Sequence, residues 1–494
     1  MNILYMSTCN NKLTLEEKEI AILRNAIDIA EKRKGKKTVS DPDVKKIISI
    51  LEDFLKKKRL VCYGGTAINN ILPLDDQFYD KDIEIPDYDF YSPDALNDAV
   101  ELADIYYNEG FQEVEAKAGV HHGTYKVYVN FIPVADITYL ERSLFKRVQK
   151  ESIRVYSILY CPPNFLRMNM YLELSRPAGD ISRWEKVLKR LILLNKNYPL
   201  RGKHCDPKLF QREFERIDAK KEEQLYYTVR DSFIDQGLIF FGGYASFLYS
   251  TYMPAKQKKL FQKTPDFDVL AEEPEQAAAM LKERLEDFDY KGIQLIKHNG
   301  IGELIAPHYS VRVKINNIEE TVAFIYKPLA CHSYNIIKKG TKTVRVATID
   351  TMLSFYFAFF YSDREYYDEN RILCMAQYLF DVQQKNRLQQ KGLLKRFSIN
   401  CYGKQDTLEE MRNTKAEKYK ELKGKRGTKE FESWFLRYVP FEEKMAKEDK
   451  GDKNKNKNKN KATGKKYGTK KHKHKSKSNK TRKNKAKKGI FGIF

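Results

Sequence analysis

The sequence has no run of about eighteen apolar residues, so no transmembrane helix is expected. The apolar stretch Met352 to Tyr361 is too short to span a bilayer. Met1-Asn2-Ile3-Leu4-Tyr5 lacks the basic-then-apolar form of a secretory signal. The chain is therefore expected neither in a membrane nor among secreted proteins. Cysteine is sparse: the 7 cysteines are scattered and form no Cys-x-x-Cys pair. That points to a reducing compartment and away from structural zinc. Cys62 and Cys374 sit in apolar stretches and read as core residues rather than nucleophiles. Only 8 histidines occur, and the adjacent pair His121-His122 has no third ligand nearby, so it reads as a hairpin turn rather than a metal site.

What is present is enough for substantial cores. The chain has 494 residues, 42% hydrophobic, with 32 Tyr and 28 Phe, a length that predicts two to four domains. Net charge is +23, but Lys450 to Lys488 holds 19 basic residues and one acid, Asp452, which leaves the remainder only mildly basic. The run Lys453-Asn454-Lys455-Asn456-Lys457 and its continuation cannot bury a core and is expected to be disordered. It reads as a tethered polycation that attracts nucleic acid, with a solubilising tail or a nuclear address as the plainer alternative. The tip, Gly489-Ile490-Phe491-Gly492-Ile493-Phe494, reads equally well as a docking peptide or as chance.

Three short stretches carry the chemistry. Tyr63-Gly64-Gly65-Thr66 ends an apolar run and opens a predicted helix. Ile85-Pro86-Asp87-Tyr88-Asp89-Phe90 puts two carboxylates at i and i+2, which share one face of a strand. Val134-Ala135-Asp136-Ile137-Thr138 supplies a third acid from another apolar segment. Each alone is weak. Together they are specific, because a carboxylate in β-prone apolar sequence is costly unless it is paired. Three such carboxylates suit two Mg²⁺ (or Mn²⁺) ions that clamp the attacking and leaving oxygens of a phosphoryl displacement. The backbone N–H groups at Gly64-Gly65-Thr66 suit a phosphate chain. Strand-end acids paired with lysines are the plain structural alternative.

Along the chain, helices are predicted at 14–34 and 41–58, the second started by Ser40-Asp41-Pro42. A strand–turn–helix follows at 60–72, a strand at 87–91, a helix from Ser92-Pro93 to about Asn108, an antiparallel pair at 113–117 and 124–130, and a strand at 131–139. Helices are predicted at about 163–176 and 182–196, with a long charged helix from Phe210 to Asp235. The chain then repeats itself. Phe241-Gly242-Gly243-Tyr244-Ala245 matches Tyr63-Gly64-Gly65-Thr66-Ala67, and Pro265-Asp266-Phe267-Asp268 matches Pro86-Asp87-Tyr88-Asp89. His308 to Asn316 resembles His122 to Asn130, and Val322-Ala323-Phe324-Ile325 takes the place of Val134-Ala135-Asp136-Ile137. This reads as duplication of one α/β module with a period of about 180 residues. The second copy has Phe324 in place of the third acid and Tyr244 in place of Thr66, and is expected to be inactive. The expected fold class is α/β (α+β), with two tandem modules of mixed sheet flanked by helices. The expected divisions are 1–58 helical, 59–200 catalytic, 201–390 degenerate, 391–445 a helical extension and 446–494 a basic tail.

The ordered Gly-Gly-Thr, Asp-x-Asp and Asp136 pattern resembles the nucleotidyltransferase superfamily that includes DNA polymerase β and poly(A) polymerases. Pro162-Pro163-Asn164-Phe165-Leu166-Arg167-Met168-Asn169-Met170-Tyr171-Leu172-Glu173-Leu174-Ser175-Arg176-Pro177, then Arg183-Trp184-Glu185-Lys186-Val187, is similar to the catalytic subunit of poly(A) polymerases from large cytoplasmic DNA viruses of the poxviral and giant amoebal-virus type. The resemblance covers roughly 40–380, with Thr66 where many members have Ser. It implies a template-independent transfer of AMP from ATP to RNA 3′ ends in the host cytoplasm. Gly64, Gly65 and Thr66 would hold the triphosphate, Asp87 and Asp89 both metals, and Asp136 the metal that activates the primer hydroxyl. Arg176, Arg183 and Lys186 would contact triphosphate or primer, or form a solvated helix face. Asn169 and Tyr171 would touch base or ribose, whereas Trp184 reads as core. Another tailing enzyme (uridylyl- or CCA-adding), a non-catalytic RNA-binding scaffold and a small-molecule nucleotidyltransferase remain as alternatives. The retained second sheet suggests a homodimer that helps enclose RNA.

Overall fold

A computed structural model describes residues 14–205, 219–258, 267–302, 304–315, 318–364 and 366–440. The basic tail, Asp266 and the first part of the expected helix from Phe210 lie outside the described residues. The chain divides into two compact units, one through Tyr438 and one from Val439.

The amino-terminal part is helical: α1 spans Leu15–Ser40 and α2 spans Pro42–Lys58. Asp41 caps α2 through its side chain, with Pro42 in the first turn, the start signal read from Ser40-Asp41-Pro42. The first module then runs β1 (Val61–Tyr63), α3 (Gly64–Ile71), β2 (Tyr88–Ser92), α4 (Ala95–Asn108), β3 (Val114–Ala118), β4 (Thr124–Val129), β5 (Ile132–Tyr139), α5 (Arg142–Glu151), β6 (Ile153–Val155), β7 (Ile158–Tyr160), α6 (Pro163–Leu174) and α7 (Trp184–Asn197). The second runs α8 (Ala219–Asp235), β8 (Ile239–Phe240), α9 (Gly243–Tyr249), α10 (Ala255–Lys258), β9 (Phe267–Leu270), α11 (Pro274–Asp287), β10 (Gln294–His298), β11 (His308–Ile315), β12 (Ile318–Tyr326), β13 (His332–Lys339), β14 (Lys342–Ala347), α12 (Ile349–Tyr361) and α13 (Glu369–Lys385). After β15 (Cys401–Tyr402) come α14 (Leu408–Leu422) and α15 (Lys429–Phe435).

Strand order shows the duplication. The first sheet is ordered β3-β4-β5-β2-β1-β7-β6 and the second β10-β11-β12-β9-β8-β14-β13, with β15 added at its edge. Pairing senses match as well: β2–β5 and β9–β12 are parallel, as are β1–β7 and β8–β14, whereas β1–β2 and β8–β9 are antiparallel. The alternation in β4, buried at Tyr125, Val127 and Val129 and part-exposed between them, is the two-residue period of a sheet with one face on the core.

The two modules share a continuous apolar core. Its centre is α12, every residue of which is buried, including the apolar stretch too short to span a bilayer. No helix of the described residues is long and apolar enough to cross a membrane. Across the contact between α6 and α12, Phe165 meets Tyr361 edge-on at 5.0 Å and Tyr171 lies flat against Phe357 at 6.2 Å. At the far edge of the first sheet, Leu436 and Tyr438 exchange backbone hydrogen bonds with Ala118 and Ala116 of β3, covering an edge otherwise open to pairing. His122 lies in the β3–β4 turn, its ring 4.1 Å from that of Trp434.

The cysteine reading needs correcting. Cys205 pairs with Cys374 and Cys331 with Cys401, while Cys62 and Cys161 are free and buried. Sequence separations of 169 and 70 hid both bridges, because only the fold brings their Cα atoms to 5.5 Å and 5.1 Å. Cys374 is thus a bridged residue rather than a free core thiol.

Candidate active site

The site is a lateral row across the first sheet. Register sets Tyr63 of β1 opposite Asp89 of β2, Asp89 beside Asp136 of β5, and Asp136 opposite Lys126 of β4. Laterally paired residues point to the same face, so one row carries a phenol, two carboxylates and an ammonium. Asp87 stands one residue before β2 rather than within it, at the open lip of the same face. Thr66 fixes that lip: its hydroxyl, 3% exposed as a residue, donates to the Asp87 carbonyl at 2.6 Å. This hydroxyl, expected at the phosphate, ties α3 to the backbone of the residue that bears the first carboxylate.

The turn from β1 into α3 demands glycine. Gly64 has φ +74°, and a Cβ there would lie 2.4 Å from Asp89 Oδ2. The backbone can approach the carboxylate that closely only without a side chain.

Burial, reinforced by charge crowding, dominates the electrostatics of the row. Burial raises the Asp89 carboxyl to about 7, with Asp87 and then Asp136 adding repulsion. Asp87 is also raised, first by desolvation and then by Asp136, against the pull of Lys126 and Lys186. Lys126 Nζ contacts Asp136 Oδ2 and supplies positive charge at the β4 end of the row. Among the described residues, no three His, Cys, Asp or Glu side chains are gathered as a ready ligand set, Asp136 being engaged by Lys126. The donors nonetheless fit a hard divalent cation: they are acceptor-only oxygens whose mutual repulsion such a cation relieves.

The other predicted residues separate. Lys186, on α7, acts electrostatically on Asp87, and Arg183 on Asp89. Arg183 pairs with Glu173 at 3.0 Å, and Arg176 Nε donates to the Leu172 carbonyl at 3.2 Å. Asn169 donates to the Tyr91 hydroxyl at 3.2 Å; Tyr91 stacks on Tyr63 at 4.1 Å, which places Asn169 behind the row. Tyr171 is corrected to a core residue: it is 0% exposed, packed against Phe357, and lines a separate cavity of about 290 Å³ with Asn195, Gln383 and Arg396. Trp184 donates its indole N–H to the Glu173 carbonyl at 3.0 Å and lies against Phe397. Lys126, Tyr63, Tyr79 and Arg190 went unmarked in the sequence. For Lys126 the signal was alternation in Thr124 to Val129, which gives the face but not the register.

The second sheet repeats the row with different chemistry. Phe241 N–H donates to the Asp268 carbonyl at 3.0 Å, Asp268 pairs with Phe324, and Phe324 with Ser310. Tyr63, Asp89, Asp136 and Lys126 thus become Phe241, Asp268, Phe324 and Ser310. Phe324 stacks under Tyr366 at 5.3 Å, and His298 and His308 pack beside it. Aromatic rings occupy the place where the first sheet gathers charge.

The topology sets a glycine turn against paired strand carboxylates. A solved structure described as the Megavirus polyadenylate synthase has the same fold, with a TM-score of 0.69 over 83% of this chain and 84% of that one, at 20% identity. Residues 49–180 match the family model described as poly(A) polymerase catalytic subunit. Among relatives, a putative poly(A) polymerase catalytic subunit of African swine fever virus (strain Badajoz 1971 Vero-adapted) is 32% identical over 178 residues, 35% of this chain and 36% of that protein. The putative poly(A) polymerase catalytic subunit of Acanthamoeba polyphaga mimivirus is 34% identical over 160 residues, 31% of this chain and 26% of that protein. The chain thus spans between about a quarter and about a third of the length of these relatives. Sequence similarity covers a shorter stretch than the expected 40–380, whereas the fold is shared across both modules.

Proposed function

We propose that this chain is a template-independent polynucleotide adenylyltransferase that adds AMP from ATP to RNA 3′ ends by a two-metal mechanism. The observation that carries the reading is the register pairing of Asp89 with Asp136, with Asp87 beside them and Gly64 closed against Asp89. Asp87 and Asp89 would hold both cations, and Asp136 would hold the one that serves the primer hydroxyl. The cations they hold would supply activation of the 3′-hydroxyl and offset of charge on the α-phosphate and leaving group. The Gly64-Gly65 backbone receives the triphosphate. Lys126 orients Asp136 and yields it as the site fills. The 3′ oxygen bonds to the α-phosphorus as the bond to the bridging oxygen breaks; the electron pair leaves with pyrophosphate and the hydroxyl proton passes to solvent.

The second module is catalytically silent in this reading, since Phe324 cannot ligate a cation. Its surface serves a homodimer that helps hold RNA, and the reaction runs in the host cytoplasm, a reading that the likeness to proteins of large DNA viruses supports. Extension of a labelled RNA primer with each NTP separately, beside the Asp87→Ala/Asp89→Ala variant, tests the activity. Incorporation of UTP or CTP in preference to ATP would make it a different tailing enzyme, and none at all a scaffold. Light scattering tests the assembly: a single species at 58.0 kDa excludes a stable dimer.

A further inference from the structure

In a reducing compartment a disulfide that forms is usually transient and redox-sensing. This fold closes two, and they join different things. Cys331–Cys401 fastens β15 to the start of β13, where backbone pairing between the same two strands already holds them. Cys205–Cys374 instead fastens the segment that leaves α7 of the first module to α13 of the second.

One face of α13 is built to hold that segment. Asn370, Cys374 and Gln377 stand at i, i+4 and i+7, a single stripe along the helix. The Lys203 N–H donates to Asn370 Oδ1 at 2.8 Å and the Gly202 N–H to Gln377 Oε1 at 2.9 Å, with the bridge between them. Gly202 is required there, since a Cβ would lie 2.5 Å from Cys374 Sγ and 2.7 Å from Cys205 Sγ. At the start of the same helix, Glu369 takes the guanidinium of Arg147 from α5 of the first module. The amino-terminal half of α13 is thus gripped by polar ties and a single covalent one.

The two sulfurs of this bridge are unequal. Cys374 is 0% exposed, whereas Cys205 is half-buried, so a reagent from solvent meets Cys205 first. Cys205 closes the run Arg201-Gly202-Lys203-His204-Cys205, in which Arg201, Lys203 and His204 are all exposed. Positive charge beside a sulfur attracts an anionic thiolate and stabilises the thiolate that exchange releases. Cys401 has no such setting, its chain neighbours being Asn400 and Tyr402.

We propose that Cys205–Cys374 is a thiol–disulfide exchange site, a latch between the modules that a small anionic thiol of the glutathione class opens. The inference goes beyond the polymerase reading and does not depend on it. A thiolate attacks Cys205 Sγ; the bond to Cys374 breaks, and Cys374 leaves with the electron pair and takes a proton from water. A second thiolate attacks the small thiol's sulfur in the mixed disulfide, Cys205 leaves, and the small thiol ends as its own disulfide, two electrons having passed to the protein. Once open, the segment is held on α13 by two backbone hydrogen bonds, while the shared core between α6 and α12 keeps the carboxylate row as built.

The test is incubation of the full chain in buffers stepped from oxidised to reduced glutathione, followed by alkylation, mass spectrometry of the cysteine peptides and hydrogen exchange. In the folded protein Cys205 and Cys374 are expected to become alkylated together as the buffer turns reducing, before Cys331 and Cys401. Amide exchange is expected to quicken several-fold in 200–205 and 369–377 and to stay unchanged in β2 and β5. Cys205→Ser, which cannot form the bridge, should show that faster exchange in every buffer, a melting temperature lower by about 2–5 °C, and single-nucleotide addition within twofold of wild type. A bridge that stays closed in a large excess of reduced glutathione while the chain remains folded overturns the proposal, by making it a permanent staple. Alkylation of both cysteines already in oxidised buffer overturns it too, as does an opened bridge with exchange in 369–377 unaltered. Absence of nucleotide incorporation in every buffer, with the bridge opening as expected, overturns the polymerase reading and keeps the latch.

Discussion

Replacing Gly64 and Gly242 by alanine separates the working module from its copy. At Gly64 an alanine must adopt φ +74°, which costs about 1–2 kcal/mol in an L-residue. Its Cβ also falls 2.4 Å from Asp89 Oδ2, but only 3.2 Å and 3.3 Å from Asp89 Cγ and Cβ. The atom that must yield is thus the end of a side chain, which can swing away by about 1 Å. Stability should fall only by the backbone cost, a melting shift of about 1 °C per kcal/mol for a cooperative unit of this size. Turnover should fall much further, about 100-fold, because a displaced ligand misplaces the reacting groups. At Gly242 the balance reverses. Its φ is −95°, so the backbone itself is permissive, but a Cβ would lie 1.8 Å from Asp268 Oδ2 and 2.5 Å from its Cβ. There β9 and the start of α9 must move apart, an overpacking cost of about 1–3 kcal/mol. Gly242→Ala should therefore lose about 1–3 °C of melting temperature yet keep turnover per folded molecule within a few-fold. Differential scanning fluorimetry and primer extension, normalised to folded protein, measure the two axes. Wild-type-like turnover in Gly64→Ala would refute the placement of Asp89 at the reacting centre. Turnover lost equally in folded Gly242→Ala would refute the silence of the second module.

Asp87→Asn, Asp89→Asn and Asp136→Asn should each abolish tailing while leaving the circular dichroism melt near wild type; normal turnover in any one removes that residue from the site. Removing residues 450–494 should weaken RNA binding at moderate salt and spare single-nucleotide addition, because that segment carries most of the chain's net charge; an unchanged slope of RNA affinity against salt would contradict this. Burial pushes His308 down to about 4 and His332 to about 3, the latter helped by Arg176, from an ordinary value near 6.5. The unfolded chain thus takes protons that the fold refuses: this stability is complete above about pH 6.5 and drains as pH falls towards 4. Melting temperature should drop between pH 7.5 and 5, by less in His308→Gln than in wild type, and an equal drop in both would exclude His308.

The sequence alone determined the parts of this protein written in local pattern. The glycine turn, the i and i+2 acids and the apolar segment around Asp136 announced themselves, because turn chemistry and two-residue alternation are short-range properties. The duplication was legible because both copies keep the glycine pair and the Asp-x-Asp at nearly equal spacing, and Phe324 stood out as a loss on the same ground. Tertiary structure alone decided which residues share a row. Register between β2, β5 and β4 sets Asp89, Asp136 and Lys126 side by side, and a one-residue slip would have turned each to the other face. It alone buried Tyr171 under α12, brought Cys205 to Cys374 across 169 residues, and set Arg190 against Gly65 across the space between two helices. Such contacts join residues far apart in the chain, and the free energy that selects them belongs to the packed core rather than to any segment that can be read by itself.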